Sequence, residues 1–163
     1  MTEQEEKYIH FVSCIRNLNE SLRILNVIKE QSGNPLIGPA FEFALIEYSK
    51  PYTEARGNFK HRYSLGMDNV PSEYHELHKE ILAARHQIHA HSDLTIQDAY
   101  LYVFESHSKK YVGISQNIID GTEKFGRISD IIALIEKTLD SMYMQEKQLK
   151  AELPSSVTPS QAG

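Results

Sequence analysis

The sequence predicts an all-α fold: an up-and-down four-helix bundle with a small β-hairpin inserted between the third and fourth helices. Apolar residues recur at intervals of three and four over four segments, which is the period of one helix face. Glycine and proline separate most of these segments. Between the third and fourth segments, β-branched and aromatic residues replace the helical pattern. Helices of this kind bury their apolar faces most simply against one another in a bundle.

The first two helices are predicted on either side of a glycine and proline signal. The first runs from about Glu3 to Gln31 and ends at Gly33-Asn34-Pro35, because proline cannot continue the helical hydrogen bonds. The second runs from about Leu36 to Tyr48, and Pro51 marks its end. The inward residues of the pair are predicted to be Tyr8, Phe11, Ile15, Leu18, Leu22, Leu25, Phe41, Ala44, Leu45 and Tyr48.

The third and fourth helices are predicted beyond a polar loop over Gly57 to Pro71. The third begins at about Pro71-Ser72, since proline suits a first helical position. The fourth covers about Phe125 to Leu149. The inward residues of these helices are predicted to be Tyr74, Leu77, Ile81, Ala84, Ile88, Ile128, Ile132, Ile135, Leu139 and Met142.

The predicted hairpin pairs two short runs, Tyr100–Phe104 and Tyr111–Ile114, across the polar segment Glu105–Lys110. Its aromatic residues can stack on nucleic-acid bases, but packing of the hairpin against the bundle is the simpler expectation. Residues 1–152 are therefore expected to form one helical-bundle domain. Residues 153–163 have too little apolar content to pack and are expected to form a disordered tail.

The composition narrows the classes of function. The chain has 163 residues and a formal net charge of -5, which argues against tight nonspecific binding to a polyanion, and we expect no DNA partner. No run is long enough to span a bilayer, and the acidic N-terminus does not resemble a secretory signal. The single cysteine, Cys14, lies in a helical pattern and is expected to be a buried thiol. We expect a cytoplasmic protein with no membrane partner, no cofactor and no metal.

One short segment is basic, although the chain as a whole carries a net negative charge. Arg56, Lys60 and Arg62 fall close together beside His61 and are candidates for binding a polyanion such as RNA. The simpler interpretation is a solvated loop.

Histidines crowd the third helix, which holds five of the eight in the chain: His75, His78, His86, His89 and His91. At about 100° per residue, Arg85 and His89 share a helix face, whereas Arg85 and His91 lie about 120° apart if the helix continues. Ser92-Asp93 is a good helix stop, so His91 can occupy a frayed last turn and swing back toward Arg85. Most lone histidines in such positions are structural.

The segment Ala84-Arg85-His86-Gln87-Ile88-His89-Ala90-His91-Ser92-Asp93 resembles the Arg-x(4–6)-His motif of the HEPN superfamily. These are small four-helix-bundle proteins, and bacterial members occur in defence and toxin–antitoxin systems. A polar residue typically follows the arginine, as His86 does here. The resemblance covers the third helix specifically and the bundle in outline. Two features depart from the pattern: the inserted hairpin and the competing His89.

The resemblance implies metal-independent endoribonuclease activity, a hydrolase class in which a ribose 2′-hydroxyl attacks the adjacent phosphate. It implies a catalytic site with Arg85, His91 and His86. Beside what the resemblance implies, we expect His89 and the basic residues Arg56, Lys60 and Arg62 to bind the substrate. A histidine moves protons near neutral pH, and an arginine holds a phosphate and offsets its developing charge. Because one histidine cannot be base and acid at once, a homodimer with a composite cleft is expected.

Two other functions stay open. A non-catalytic HEPN module would bind RNA, a nucleotide or a protein partner through the same polar cleft, and an antitoxin is one possible partner. A metal-binding bundle would need Glu-x-x-His pairs on two helices, whereas the histidines here crowd one helix.

Overall fold

A computed structural model describes residues 1–31, 34–59, 61–89, 100–115 and 122–153, with the backbone alone for residues 86–89 and 122–124. The described chain is mainly helical, as the sequence predicts. Its four α-helices are α1 (Glu3–Lys29), α2 (Ile37–Ser49), α3 (His75–His89) and α4 (Ile128–Ala151). Short 3₁₀ turns precede α3 and α4, at Ser72–Tyr74 and Thr122–Arg127, and another follows α2 at Lys50–Tyr52.

The start of α1 is fixed by a reciprocal cap. Thr2 Oγ1 accepts a hydrogen bond from the Glu5 backbone N–H, and the Glu5 carboxylate accepts one from the Thr2 N–H. These two bonds satisfy amides that have no partner within the helix. Pro51, which was predicted to mark the end of the second helix, is buried within the 3₁₀ turn that follows α2.

The core lies where the helical pattern predicts it. Helix α1 packs against α2 and α4, and α2 packs against α3. All the predicted inward residues of α2 and α4 are buried, and within α1 only Tyr8 and Leu22 are half-buried. The largest fully buried side chains include Tyr48, Phe41, Leu18, Leu25, Leu45, Ile81, Ile131, Leu134, Ile135 and Met142.

The segment predicted as a loop over Gly57 to Pro71 contains more structure than expected. Strand β1 (Ala55–Arg56), just before this segment, pairs antiparallel with β2 (Arg62–Tyr63) within it, and Met67–Asn69 forms a 3₁₀ turn. The prediction of a plain loop was wrong here because strands of two residues are too short to show an alternating pattern.

The hairpin between α3 and α4 is present, with longer strands and a tighter turn than predicted. Strand β3 (Tyr100–Ser106) pairs antiparallel with β4 (Lys109–Ser115). The turn consists of His107 and Ser108, which have φ angles of 49° and 59°. Two-residue hairpin turns of type I′ require positive φ at both positions. Every residue of β3 is exposed, so the expectation that the hairpin packs against the bundle was wrong.

Some predictions fall on residues that are not described. The expected tail from residue 154 onward and the segment from Ala90 to Ala99, which includes His91, lie outside the described residues. Among the helices that the structure describes, none is long and apolar enough to cross a membrane.

Candidate functional site

Arg85 lies in the last described turn of α3, at the edge of its buried face. Ala84 and Ile81 are buried, and Arg85 itself is half-buried. The Nε atom of Arg85 is buried and has no hydrogen-bond acceptor among the described residues. A buried donor without an acceptor costs about 1–3 kcal/mol. Arg85 is thus partly withdrawn from solvent, and no described residue uses the hydrogen-bonding capacity of its Nε–H.

The other residues of the predicted motif follow directly along the chain. His86 and His89 belong to the helical backbone of α3. The backbone places Arg85 and His89 four residues apart, on the same side of the helix. His91 lies outside the described residues, so the structure gives no distance between His91 and Arg85.

Two of the five clustered histidines have structural roles. The ring of His78 is 2% exposed, and its Nδ1 shares a hydrogen bond of 2.7 Å with the Tyr48 hydroxyl. Burial, reinforced by nearby His75 and Lys79, lowers the pKa of His78 to about 4. His75 Nε2 donates to the Val70 carbonyl oxygen at 3.0 Å. The histidine cluster of the sequence is therefore partly a feature of the core.

The single cysteine also belongs to the core. Cys14 is 2% exposed, as predicted, and its Sγ lies 3.7 Å from Nε2 of His10. Burial raises the pKa of the Cys14 thiol to about 11, so the thiol is protonated near neutral pH.

The basic segment forms a small hairpin. Arg56 and Arg62 lie directly opposite each other in the β1–β2 pair, and both are exposed. Arg62 Nη1 donates to Glu54 at 2.7 Å, in an exposed ion pair. Lys60 lies outside the described residues. The structure thus brings together two of the three basic residues that the sequence singles out, with one carboxylate beside them.

A buried carboxylate anchors this hairpin to the start of α1. The Glu6 carboxylate accepts hydrogen bonds from the Asn58 N–H and from the Tyr63 hydroxyl. The Asn58 N–H is the main cause that lowers the pKa of Glu6. Gly57 lies so close that an added Cβ would be 2.5 Å from the Tyr63 ring and 2.7 Å from a Glu6 oxygen. Sequence reasoning missed this anchor because its hydrogen bonds join residues more than 50 positions apart.

One copy of the chain does not bring the basic pair and Arg85 together. Arg127, just before α4, donates to Glu80 of α3, five residues before Arg85. Tyr8, two residues after Glu6, donates to Glu146 near the other end of α4. Glu146 lies 19 positions after Arg127, which corresponds to about 28 Å along the helix. The basic pair and Arg85 therefore lie toward opposite ends of α4.

The β3–β4 hairpin presents a third group of candidate residues. On one face, the rings of Phe104 and Tyr111 stack with centroids 5.2 Å apart. Tyr100 and Tyr102 lie on the same face, 6.5 Å apart. All four rings are about half-exposed. Exposed aromatic rings on one sheet face can stack on the bases of single-stranded nucleic acid.

Comparison with known proteins identifies no relative: no family model, curated protein or solved structure matches the chain.

Within the described parts of the chain, no group of three or more His, Cys, Asp or Glu side chains is placed to hold a metal ion.

Proposed function

We propose that this protein is a metal-independent endoribonuclease of the HEPN type, an up-and-down four-helix bundle that acts as a homodimer. The observation that carries the proposal is the placement of Arg85 in α3, four residues before the helix ends, half-buried and with no acceptor for its Nε–H among the described residues. The motif that follows Arg85 in the sequence, from His86 to His91, supplies the proton-transfer groups.

The proposed reaction is an internal transesterification of RNA. One histidine removes the proton from a ribose 2′-hydroxyl, and the 2′-oxygen forms a bond to the adjacent phosphorus. The bond from phosphorus to the 5′-oxygen breaks, and a second histidine gives that oxygen its proton. The products are a 2′,3′-cyclic phosphate and a 5′-hydroxyl. Arg85 stabilises the negative charge that develops on the phosphate oxygens.

A dimer supplies the second histidine. Each copy offers one Arg85 and one His91, so two copies related by a twofold axis provide a base, an acid and two guanidinium groups at one cleft. His86 and His89 are proposed to contact the RNA beside them. The pair Arg56 and Arg62, with Lys60, is proposed to hold RNA phosphates away from the cleavage point, since it lies toward the other end of α4. By this proposal the protein acts in the cytoplasm, and an antitoxin is its expected regulator.

Alanine variants test the assignment. Arg85→Ala and His91→Ala are each expected to slow cleavage of a labelled RNA by about 10²–10⁴-fold, because each removes a group that acts in the transition state. Cleavage is expected to persist in EDTA. His89→Ala is expected to weaken RNA binding more than it slows the cleavage step, and this separates it from His91.

Lys79→Ala is the matched control, because Lys79 is exposed on α3 and pairs only with Glu76 among the described residues. Its cleavage rate is expected to equal that of the wild type. A wild-type protein that cuts no RNA, or variants at both Arg85 and His91 that cut as fast as the wild type, would contradict the proposal.

An RNA-binding module without cleavage is the second candidate. The four half-exposed rings on the β3–β4 hairpin and the Arg56–Arg62 pair favour it, since base stacking and phosphate contacts bind RNA without chemistry. This candidate predicts that the wild type binds single-stranded RNA and leaves it intact. It also predicts that Tyr102→Ser weakens binding while Arg85→Ala does not.

A further inference from the structure

The β3–β4 hairpin has a second apolar face, opposite its aromatic one. The register pairs Leu101 with Ile114 and Val103 with Val112, and these four side chains form an aliphatic face. Their exposed fractions are 62%, 68%, 49% and 57%. The same face ends, next to the turn, in the cross-strand pair of Glu105 and Lys110.

This arrangement leaves apolar surface without a cover. Every residue of β3 and most of β4 are exposed in the described part of the chain. A two-stranded hairpin alone is marginally stable in water and usually needs a third strand or a packed face. Contiguous exposed apolar surface is therefore a candidate interaction site.

We infer that the aliphatic face is a docking surface for the same face of a second copy of this chain. A twofold axis parallel to the strands stacks β3 of one copy over β4 of the other. Residues that are paired within one hairpin then lie opposite each other between hairpins. Leu101 packs on Ile114 of the second copy, and Val103 packs on Val112 of the second copy.

Charge complementarity indicates that the partner of the aliphatic face is a second copy of this chain. The same twofold axis places Glu105 over Lys110 of the second copy, and this contact occurs twice in the dimer. An apolar face with one acidic and one basic residue at its rim is complementary to the same face of an identical chain. The aromatic face stays free on the outside of the stacked hairpins.

The size of the face sets the expected strength. Seven residues of strand are about 23 Å long, and two strands are about 10 Å wide, so the face covers roughly 230 Å². A stable interface buries about 800 Å² per partner. Hairpin stacking alone therefore gives a reversible dimer whose population depends on protein concentration. The inference does not depend on nuclease activity, and an inactive protein can dimerise in this way.

A charge-exchange experiment tests this geometry by analytical ultracentrifugation over a concentration series. Glu105→Lys places lysine opposite lysine at both rim contacts, and Lys110→Glu places glutamate opposite glutamate. Each variant alone is expected to self-associate roughly tenfold more weakly than the wild type. An equimolar mixture of the two is expected to form a heterodimer of near wild-type affinity, because every contact between copies is again Lys with Glu.

The mixture separates contacts between copies from contacts within one hairpin. Both variants keep a like-charge pair inside their own hairpin, so recovery on mixing can arise only between chains. Lys147→Glu, an exposed change on α4, is the net-charge control for Lys110→Glu, and far-UV circular dichroism reports folding. A monomeric wild type overturns the inference. So does a mixture that stays as weakly associated as its components while the double variant E105K/K110E dimerises normally.

Discussion

Burial divides the polar residues of α3 into two groups. His78 is inside the core, with its hydrogen bond supplied by Tyr48. Arg85, seven residues later, lies half-buried on the same side of α3, and its Nε–H has no acceptor among the described residues. The sequence alone does not distinguish these two environments, because His78 and Arg85 are both polar residues next to the apolar stripe of α3. His78 therefore belongs to the buried structure of the fold, and Arg85 remains the residue that we propose for function.

The burial of His78 makes the stability of the protein depend on pH. The pKa of His78 is lowered to about 4 in the folded state from an ordinary value of 6.5. Between these values the unfolded chain binds the proton and the folded chain does not, so stability falls as pH drops from about 6.5 to 4. Urea unfolding at pH 7 and pH 4 is expected to show about 3 kcal/mol of loss that His78→Gln lacks.

The matched control for His78→Gln is the same change at His61, an exposed histidine on the β1–β2 hairpin. His61→Gln is expected to keep the wild-type loss of stability between the two pH values. If His78→Gln and the wild type lose the same free energy of unfolding, the buried neutral histidine is not the cause.

At the scale of elements, the β1–β2 hairpin is held on α1 by a close contact. Gly57→Ala would push a methyl group into the Tyr63 ring and the Glu6 carboxylate, which anchor the hairpin. We expect a loss of about 1–3 kcal/mol in the free energy of unfolding, from overpacking. We also expect weaker RNA binding, because the hairpin carries Arg56 and Arg62.

Gly126→Ala is the control for this change, since nothing lies within 4 Å of a Cβ added at Gly126. Its free energy of unfolding is expected to stay within about 0.5 kcal/mol of the wild type. Equal stability of the two alanine variants in urea unfolding would show that Gly57 does not mark a close contact.

The helices were predictable from this sequence, but only one of the two strand pairs was. Apolar spacing locates α1, α2 and α4 to within a few residues, because each helix buries a continuous stripe. Strands β1 and β2 are too short to show a pattern, and their anchor at Glu6 joins distant parts of the chain. The β3–β4 hairpin was predicted, but its exposure was not, because apolar residues usually indicate burial.

For the whole molecule, the candidate site follows from one sequence motif and from the position of Arg85. The motif predicts the residue types, and the structure adds that Arg85 is half-buried, with no acceptor for its Nε–H among the described residues. The basic pair was expected to bind the substrate, and in one copy of the chain it lies toward the opposite end of α4 from Arg85. Sequence patterns give no information on the distance between two remote segments, because each pattern concerns residues that are close along the chain.

The most direct test of the central claim is the chemistry of RNA cleavage by the purified wild-type protein in EDTA. We predict fragments that end in a 2′,3′-cyclic phosphate, begin with a 5′-hydroxyl, and disappear when a 2′-deoxynucleotide replaces the ribose at the cut. Intact RNA after incubation would contradict the account, as would cleavage that continues at the 2′-deoxy position or that requires a divalent metal.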